Sequence, residues 1–211
     1  MESFEIIFHL KFFISTLTIL RSRCAQFGAN CKMISAQTIL NRESNFEVKK
    51  TIGLIADTHV PKRAPCIPKR VLEVFATVDY IIHAGDLVEL SVIDELEQVA
   101  PVLAVHGNMD SSEVSSVLPV LNSLKIFDWK IGVMHDPNSL FGSEKMLHIA
   151  SENGFNVFVY GHTHASRIKW EAETLYINPG SPTDPASILS KPSVGLLKIT
   201  KAKITPEIVN L

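Results

Sequence analysis

Short apolar runs that stop abruptly at a glycine or at a residue able to bind a metal recur along this chain, and they constrain its fold more than any other feature. Thr51-Ile52-Gly53-Leu54-Ile55-Ala56 stops at Asp57-Thr58-His59, and Tyr80-Ile81-Ile82-His83-Ala84 stops at Gly85-Asp86. Pro101-Val102-Leu103-Ala104-Val105 runs into His106-Gly107-Asn108-Met109-Asp110, and Ile131 to Met134 runs into His135-Asp136-Pro137. Val157-Phe158-Val159-Tyr160 runs into Gly161-His162-Thr163-His164. Runs this short and this uniformly apolar predict strands buried on both faces, which requires a sheet covered by other layers. The segments between them carry helical spacing. Pro68 to about Ala76 places Val71, Leu72 and Phe75 on one face, and Ser91 to Val99 does the same with Val92, Ile93, Leu96 and Val99. A third helix is expected from Ser143 to Glu152, with His148 on its surface. Strands alternating with helices indicate a layered α/β domain.

The remaining elements are shorter. Leu124 to Phe127 and Ile131 to Met134 are expected to pair around a turn at Asp128-Trp129-Lys130, and Arg167 to Trp170 with Thr174 to Ile177 around Glu171-Ala172-Glu173. Asn178-Pro179-Gly180-Ser181-Pro182 has the composition of a chain reversal, and Val194 to Ile199 is expected to be the final strand. With 211 residues, 46% of them apolar, one substantial core is enough. That core is assigned to residues 51–211, with 1–50 an extension outside the folded unit and a functional start at Met33 or near Lys49. Within the extension, Phe4 to Leu20 is apolar but interrupted by His9 and Lys11, and Glu2 and Glu5 stand where a secretory signal carries positive charge. It also falls short of the ~20 apolar residues of a membrane span. A membrane-anchored form would rest on this segment alone, and a cytoplasmic location is expected instead. The formal net charge of −2 excludes a basic footprint for bulk nucleic-acid binding. Cys24, Cys31 and Cys66 follow no CxxC spacing, so neither a zinc knuckle nor a disulfide framework is expected, which fits a reducing compartment.

The run ends share one chemistry. On an extended segment Asp57 and His59, at i and i+2, would point the same way and grip one cation with an oxygen and a nitrogen; the plainer alternative is that Asp57 caps the next helix. Gly161 frees a turn on which His162 and His164 can aim two imidazoles into one concavity. Asp86 offers two carboxylate oxygens, enough to bridge two ions, and Asn108 a neutral oxygen that leaves the ions free to attract an anion. His135 adds a further imidazole. His83, inside its strand, is expected in the core or orienting a ligand, and Asp110 organising its loop or capping the helix that begins at Ser111. Lys62 and Arg63 are either solvated loop charges or contacts for a substrate phosphate. Seven nitrogen and oxygen donors in five loops (Asp57, His59, Asp86, Asn108, His135, His162 and His164) suit a binuclear divalent site.

Asp-x-His, Gly-Asp, Gly-Asn-x-Asp, a single His and Gly-His-x-His, in this order, resemble the calcineurin-like metallophosphoesterases. Asn178-Pro179-Gly180-Ser181 resembles the small bacterial and archaeal branch of that family, which also includes the retromer subunit Vps29. The resemblance spans Thr51 to Leu211. It implies a four-layer α-β-β-α sandwich of two mixed sheets flanked by helices, with the site at the strand ends. It also implies one metal on Asp57, His59, Asp86 and His164 and a second on Asp86, Asn108, His135 and His162, with Asp86, Asn108 and His135 as catalytic residues. The implied activity is hydrolysis of a small phosphate ester, most simply a diester, by a hydroxide bridging two ions roughly 3.5–4 Å apart. Mn2+ is the first choice for mixed imidazole and oxygen ligation, with Fe, Zn, Ni or Co as alternatives. A homo-oligomer is compatible with this. The runner-up is a Vps29-like protein-binding scaffold with a vestigial metal site, which the stretch from Val60 to Pro68 resembles; intact Gly85-Asp86 and Gly107-Asn108 favour catalysis. The chain departs from the family at Met109, where many members have His, at Thr183-Asp184, where Arg is frequent, and at Asp136-Pro137, where glycine is usual after the histidine.

Overall fold

The computed structural model describes residues 48–136, 144–171 and 173–211. The expectations for Met33, Phe4 to Leu20, Cys24 and Cys31 lie outside the described residues, as do Pro137 and Ser143.

Two five-stranded mixed sheets form the body. In the first, the order is β10 (Ile204–Asn210), β9 (Ser193–Ile199), β1 (Lys50–Ile55), β2 (Tyr80–His83) and β3 (Val102–Ala104); β1, β2 and β3 run parallel while β9 is antiparallel to both of its neighbours. In the second it is β4 (Leu121–Ile126), β5 (Trp129–Met134), β6 (Val157–Val159), β8 (Thr174–Asn178) and β7 (Arg167–Glu171). Here β5, β6 and β8 are parallel and the two edges antiparallel.

Strand alternation builds the layers. Ile52, Leu54 and Ile82 of the first sheet meet Ile131, Val133, Val157, Val159, Leu175 and Ile177 of the second in a core between the sheets. Ile55 and Ile81 point the other way, into a second core with the helices α1 (Lys69–Phe75), α2 (Ser91–Glu97) and α3 (Ser112–Val117), which contribute Val71, Phe75, Val92, Leu96 and Val114. Phe158 and Tyr176 turn outward onto Ala150, Met146 and Leu147 of α4 (Glu144–Asn153). The result is the α-β-β-α order of four layers, with the central strands buried on both faces.

Two local expectations are corrected. The β4–β5 hairpin turns at Phe127 and Asp128, because Trp129 already pairs with Ile126 and anchors its indole N–H on the Thr200 carbonyl at 2.8 Å; Phe127 takes a φ of 53°. Val194 to Ile199 is not the last strand, since β10 follows it at the sheet edge, where Pro206 needs no amide partner. His148 is exposed on α4 and pairs with Glu152 at 3.2 Å. Among the described residues no helix is long and apolar enough to cross a membrane.

Parallel pairing brings the run ends level. Ile55 pairs with His83, His83 with Ala104, Val133 with Val159 and Val159 with Ile177, so the loops that follow emerge on one edge of each sheet.

The ring of fully buried Phe75 lies directly over Gly53 of β1 and joins α1 to the sheet. Phe75→Ala should lower the unfolding free energy by roughly 3–5 kcal/mol in denaturant titrations; a loss below about 1 kcal/mol would contradict this account of the helix–sheet interface.

Candidate metal centre

The loops at this edge hold their side chains through an uncommon backbone conformation. Asp57 (φ 54°), His59 (φ 46°), Asp86 (φ 57°), His162 (φ 69°) and His164 (φ 56°) are all left-handed, as is Val88 (φ 80°). Asp and His tolerate this region better than most residues, whereas Val does not. This corrects the geometry expected for Asp57 and His59. The strand ends at Ile55, and the two side chains converge through turns rather than through the alternation of an extended segment.

A framework of hydrogen bonds holds these turns. Backbone bonds of 3.0 Å run from Asp57 N–H to the Gly85 carbonyl and from His59 N–H to the Asp86 carbonyl, tying the first loop to the second. The Asp110 carboxylate accepts the amides of Asp86 (3.1 Å), Val88 (2.5 Å) and Gly107 (2.6 Å), tying the second loop to the third. Asp110 thus organises the loops, and Ser111 caps α3 through the Val114 amide. His83 accepts the Gly85 amide on Nδ1, which leaves the proton on Nε2 to be donated to Thr58 Oγ1 at 3.1 Å. Ser181 Oγ donates to the Asp57 carbonyl and Asn178 Nδ2 to the Gly161 carbonyl, so the expected chain reversal also braces two loops.

All seven expected donors meet here. On one side, His59 Nε2 lies 3.2 Å from His164 Nε2, and Asp57 Oδ1 lies 3.7 Å from His164 Nε2. On the other, Asn108 Oδ1 stands 3.1 Å from His135 Nε2 and 2.9 Å from His162 Nδ1. Asp86 lies between them, its Oδ2 at 3.3 Å from His135 Nε2 and 3.9 Å from His59 Nε2, while its Oδ1 accepts the Met109 amide at 2.7 Å. Groups of three ligand atoms within reach of one ion are Asp57, His59 and His164, and Asp57, Asp86 and His135. Asp57 is common to both groups, while Asp86 Oδ2 lies between His59 and His135. The His135 nitrogen near Asp57 is Nδ1, at 3.9 Å, and it is committed to the Ala84 carbonyl at 2.8 Å; the nitrogen facing the cluster is turned to Asp86.

Three observations test whether these residues fit divalent cations. Asp57 is fully buried, and its Oδ2 finds no hydrogen-bond donor among the described residues. His164 Nδ1 donates to the Asp184 carbonyl at 2.6 Å, which turns its Nε2 toward that of His59 at 3.2 Å, so that two imidazole nitrogens converge beside the Asp57 carboxylate. Two oxygens likewise surround His135 Nε2. The set fits.

The electrostatics agree. Burial pushes the Asp57 carboxyl up to about 7, further than the charges of His135 and His164 pull it down. Burial also raises Asp86, but the hydrogen bond and charge of His135, with the Met109 amide, outweigh it and leave Asp86 below the ordinary carboxylate range. For His135 burial works downward and is overcome by Asp86 and Asp57, so its imidazole is raised. Burial lowers His59, and it takes fully enclosed His83 down to about 3.

The cluster opens into a cavity of about 470 Å³ lined by His59, Asp86, Asn108, His162 and His164, with Lys62, Arg63, Met109 and Asp184 on its rim. Among the described residues that line it there is no serine, threonine or cysteine. Asp184 was missed in the sequence, as were the bracing roles of Asn178 and Ser181. Asn178 and Ser181 bind backbone carbonyls distant in the chain and Asp184 holds His164 through its own carbonyl, contacts that leave no trace in local spacing.

The family model of the calcineurin-like phosphoesterase superfamily domain matches residues 51–202. A protein of Methanothermobacter thermautotrophicus described as a probable metallophosphoesterase is 38% identical over 159 residues, covering 75% of this chain and 91% of that protein. A phosphodiesterase of Methanocaldococcus jannaschii is 33% identical over 160 residues, 71% of this chain and 93% of its own length. Vps29 of Cryptosporidium parvum shares the fold, with a TM-score of 0.64 at 23% identity over 77% of this chain and 98% of its own.

His83 yields a pH prediction. Its folded-state pKa, about 3, lies below the ordinary 6.5, so the unfolded chain takes up the proton first. The associated stability is present above about pH 6.5 and is lost as the pH falls toward 3. Denaturant titrations from pH 7 to 4 should show a steeper loss for the wild type than for His83→Gln; parallel profiles would contradict the assignment.

Proposed function

The chain belongs to the calcineurin-like phosphoesterase superfamily, and on that premise we propose that it is a phosphodiesterase working with two divalent cations, Mn2+ first among them. The observation that supports this most is the placement of Asp86 Oδ2 between His59 and His135, with the other donors divided on either side. Asp57, His59 and His164 would hold one ion, Asn108, His135 and His162 the other, and Asp86 both. When bound, divalent ions would supply positive charge against the phosphoryl oxygens and lower the pKa of a bound water.

The chain's own groups do the rest. The Ala84 and Asp184 carbonyls fix the His135 and His164 rings so that Nε2 of each faces the cluster. The Met109 amide holds Asp86 Oδ1 and thereby sets the direction of Oδ2. Among the described residues no hydroxyl or thiol lines the cavity, and its Asp86 carboxylate and imidazoles face one another as ligands, which in this reading leaves water as the attacking group. The cavity volume suits a small ester. The likeness to Vps29 concerns fold alone. The intact Asp86 and Asn108 in the donor set favour the hydrolase reading over a docking scaffold.

With Mn2+ present, the protein should hydrolyse bis-nitrophenyl phosphate, and Asp86→Ala should reduce kcat by roughly 10³-fold or more. Activity within tenfold of wild type would reject the bridging role. Met109, which is 46% exposed, carries no proton to give a departing oxygen. Nitrophenyl diesters should therefore outrun alkyl monoesters by about 10²-fold or more in kcat/KM; comparable rates would point to another proton donor.

A further inference from the structure

Lys62 and Arg63 are not accounted for by the ligand cluster. They follow His59 on the first loop, and the Arg63 amide donates to the His59 carbonyl at 2.8 Å, which fixes the pair beside a proposed ligand. Both side chains line the cavity. Arg63 Nε is 3.2 Å from Asp184 Oδ2, the residue whose carbonyl orients His164. Held by Nε, a guanidinium still has its two terminal nitrogens to offer as a planar fork. Lys62 Nζ meets only the Met109 carbonyl, at 3.4 Å, and has no carboxylate within salt-bridge distance among the described residues. The cavity wall thus carries two cations against the one carboxylate, Asp184, that pairs with either of them among the described residues. The reacting phosphoryl group belongs at the ligand cluster, so this surplus faces a different part of the substrate.

We propose that Lys62 and Arg63 form a second anion subsite, which binds a phosphate group carried by the non-reacting part of the substrate. Asp184 presents Arg63, and Lys62 adds a movable point charge; together they match a dianion better than a single carboxylate. This rests on the reading of the cluster as a phosphodiesterase site and narrows its substrates to diesters that bear an additional phosphate.

Two substrates isolate the subsite. Thymidine 5′-nitrophenyl phosphate and its 3′-phosphorylated counterpart have the same leaving group and reacting phosphorus and differ only in the second phosphate. With the full chain and Mn2+, KM for the 3′-phosphorylated compound should be roughly tenfold lower, with similar kcat. The ratio should fall to about one in a K62Q/R63Q variant and persist in K62R. Because it compares two substrates on one protein, it does not move with general loss of metal or of folded protein. Calorimetric titration with thymidine 3′,5′-bisphosphate and thymidine 5′-monophosphate reads the same preference without turnover. Equal KM and equal affinity in the wild type, or a preference that survives K62Q/R63Q, would overturn the subsite. A preference in calorimetry with no hydrolysis of either ester would overturn the phosphodiesterase reading and leave the subsite standing.

Discussion

A carboxylate enclosed by protein with one oxygen lacking any donor is the constraint on which the rest of this structure depends. Asp57 is fully buried between the two sheets' loop edges, and only its Oδ1 is served, by the His162 amide at 3.1 Å. Removing an ionised carboxylate from water costs several kcal/mol even after relaxation, and an uncompensated one shifts toward the neutral form. The upward displacement of Asp57 is that tendency. A cation shared with this carboxylate would reverse it; His164 Nε2 stands 3.7 Å from Asp57 Oδ1. The left-handed turns at five of the seven donors point the same way, because backbone strain persists only where surrounding bonds over-determine it. Here Asp110, His83, Asn178 and Ser181 supply those bonds.

The two carboxylates divide the work through their surroundings. Asp57 has burial as its dominant influence and rises; Asp86 has an imidazole, an amide and a second ring near it and falls. Asp86 is therefore ionised and oriented before any ion arrives, with one oxygen fixed by Met109 and the other shared between His59 and His135. Met109 thus positions Asp86 through its amide while its side chain has no proton to give. Glycine at position 107 belongs to the same arrangement, since a methyl there would overlap Asp86 Oδ1.

Much of this was legible in the sequence, for identifiable reasons. Strands buried on both faces leave unbroken apolar runs, and run ends rich in Asp, Asn and His point to metal ligation. The layer order followed from those runs together with the family resemblance. Strand β10 was not legible, because Pro206 and Glu207 interrupt its pattern at an edge that needs neither burial nor complete pairing. The turn geometry at Asp57 and His59 was hidden as well: alternation brings i and i+2 to one side, and so do two left-handed residues, by a different path. The bracing carboxylate of Asp110 and the carbonyl of Asp184 act across about 20 residues of chain, so only the folded structure reveals their partners. What the assembled donors hold is the proposal, and the rim cations extend it.

Diffraction from crystals equilibrated with Mn2+, with data collected at the manganese absorption edge, tests the central claim most directly. The account predicts two anomalous peaks about 3.5–4 Å apart, one among Asp57, His59 and His164, the other among Asn108, His135 and His162, with Asp86 touching both. A single peak, or density that leaves Asp57 Oδ2 without a cation, would contradict it.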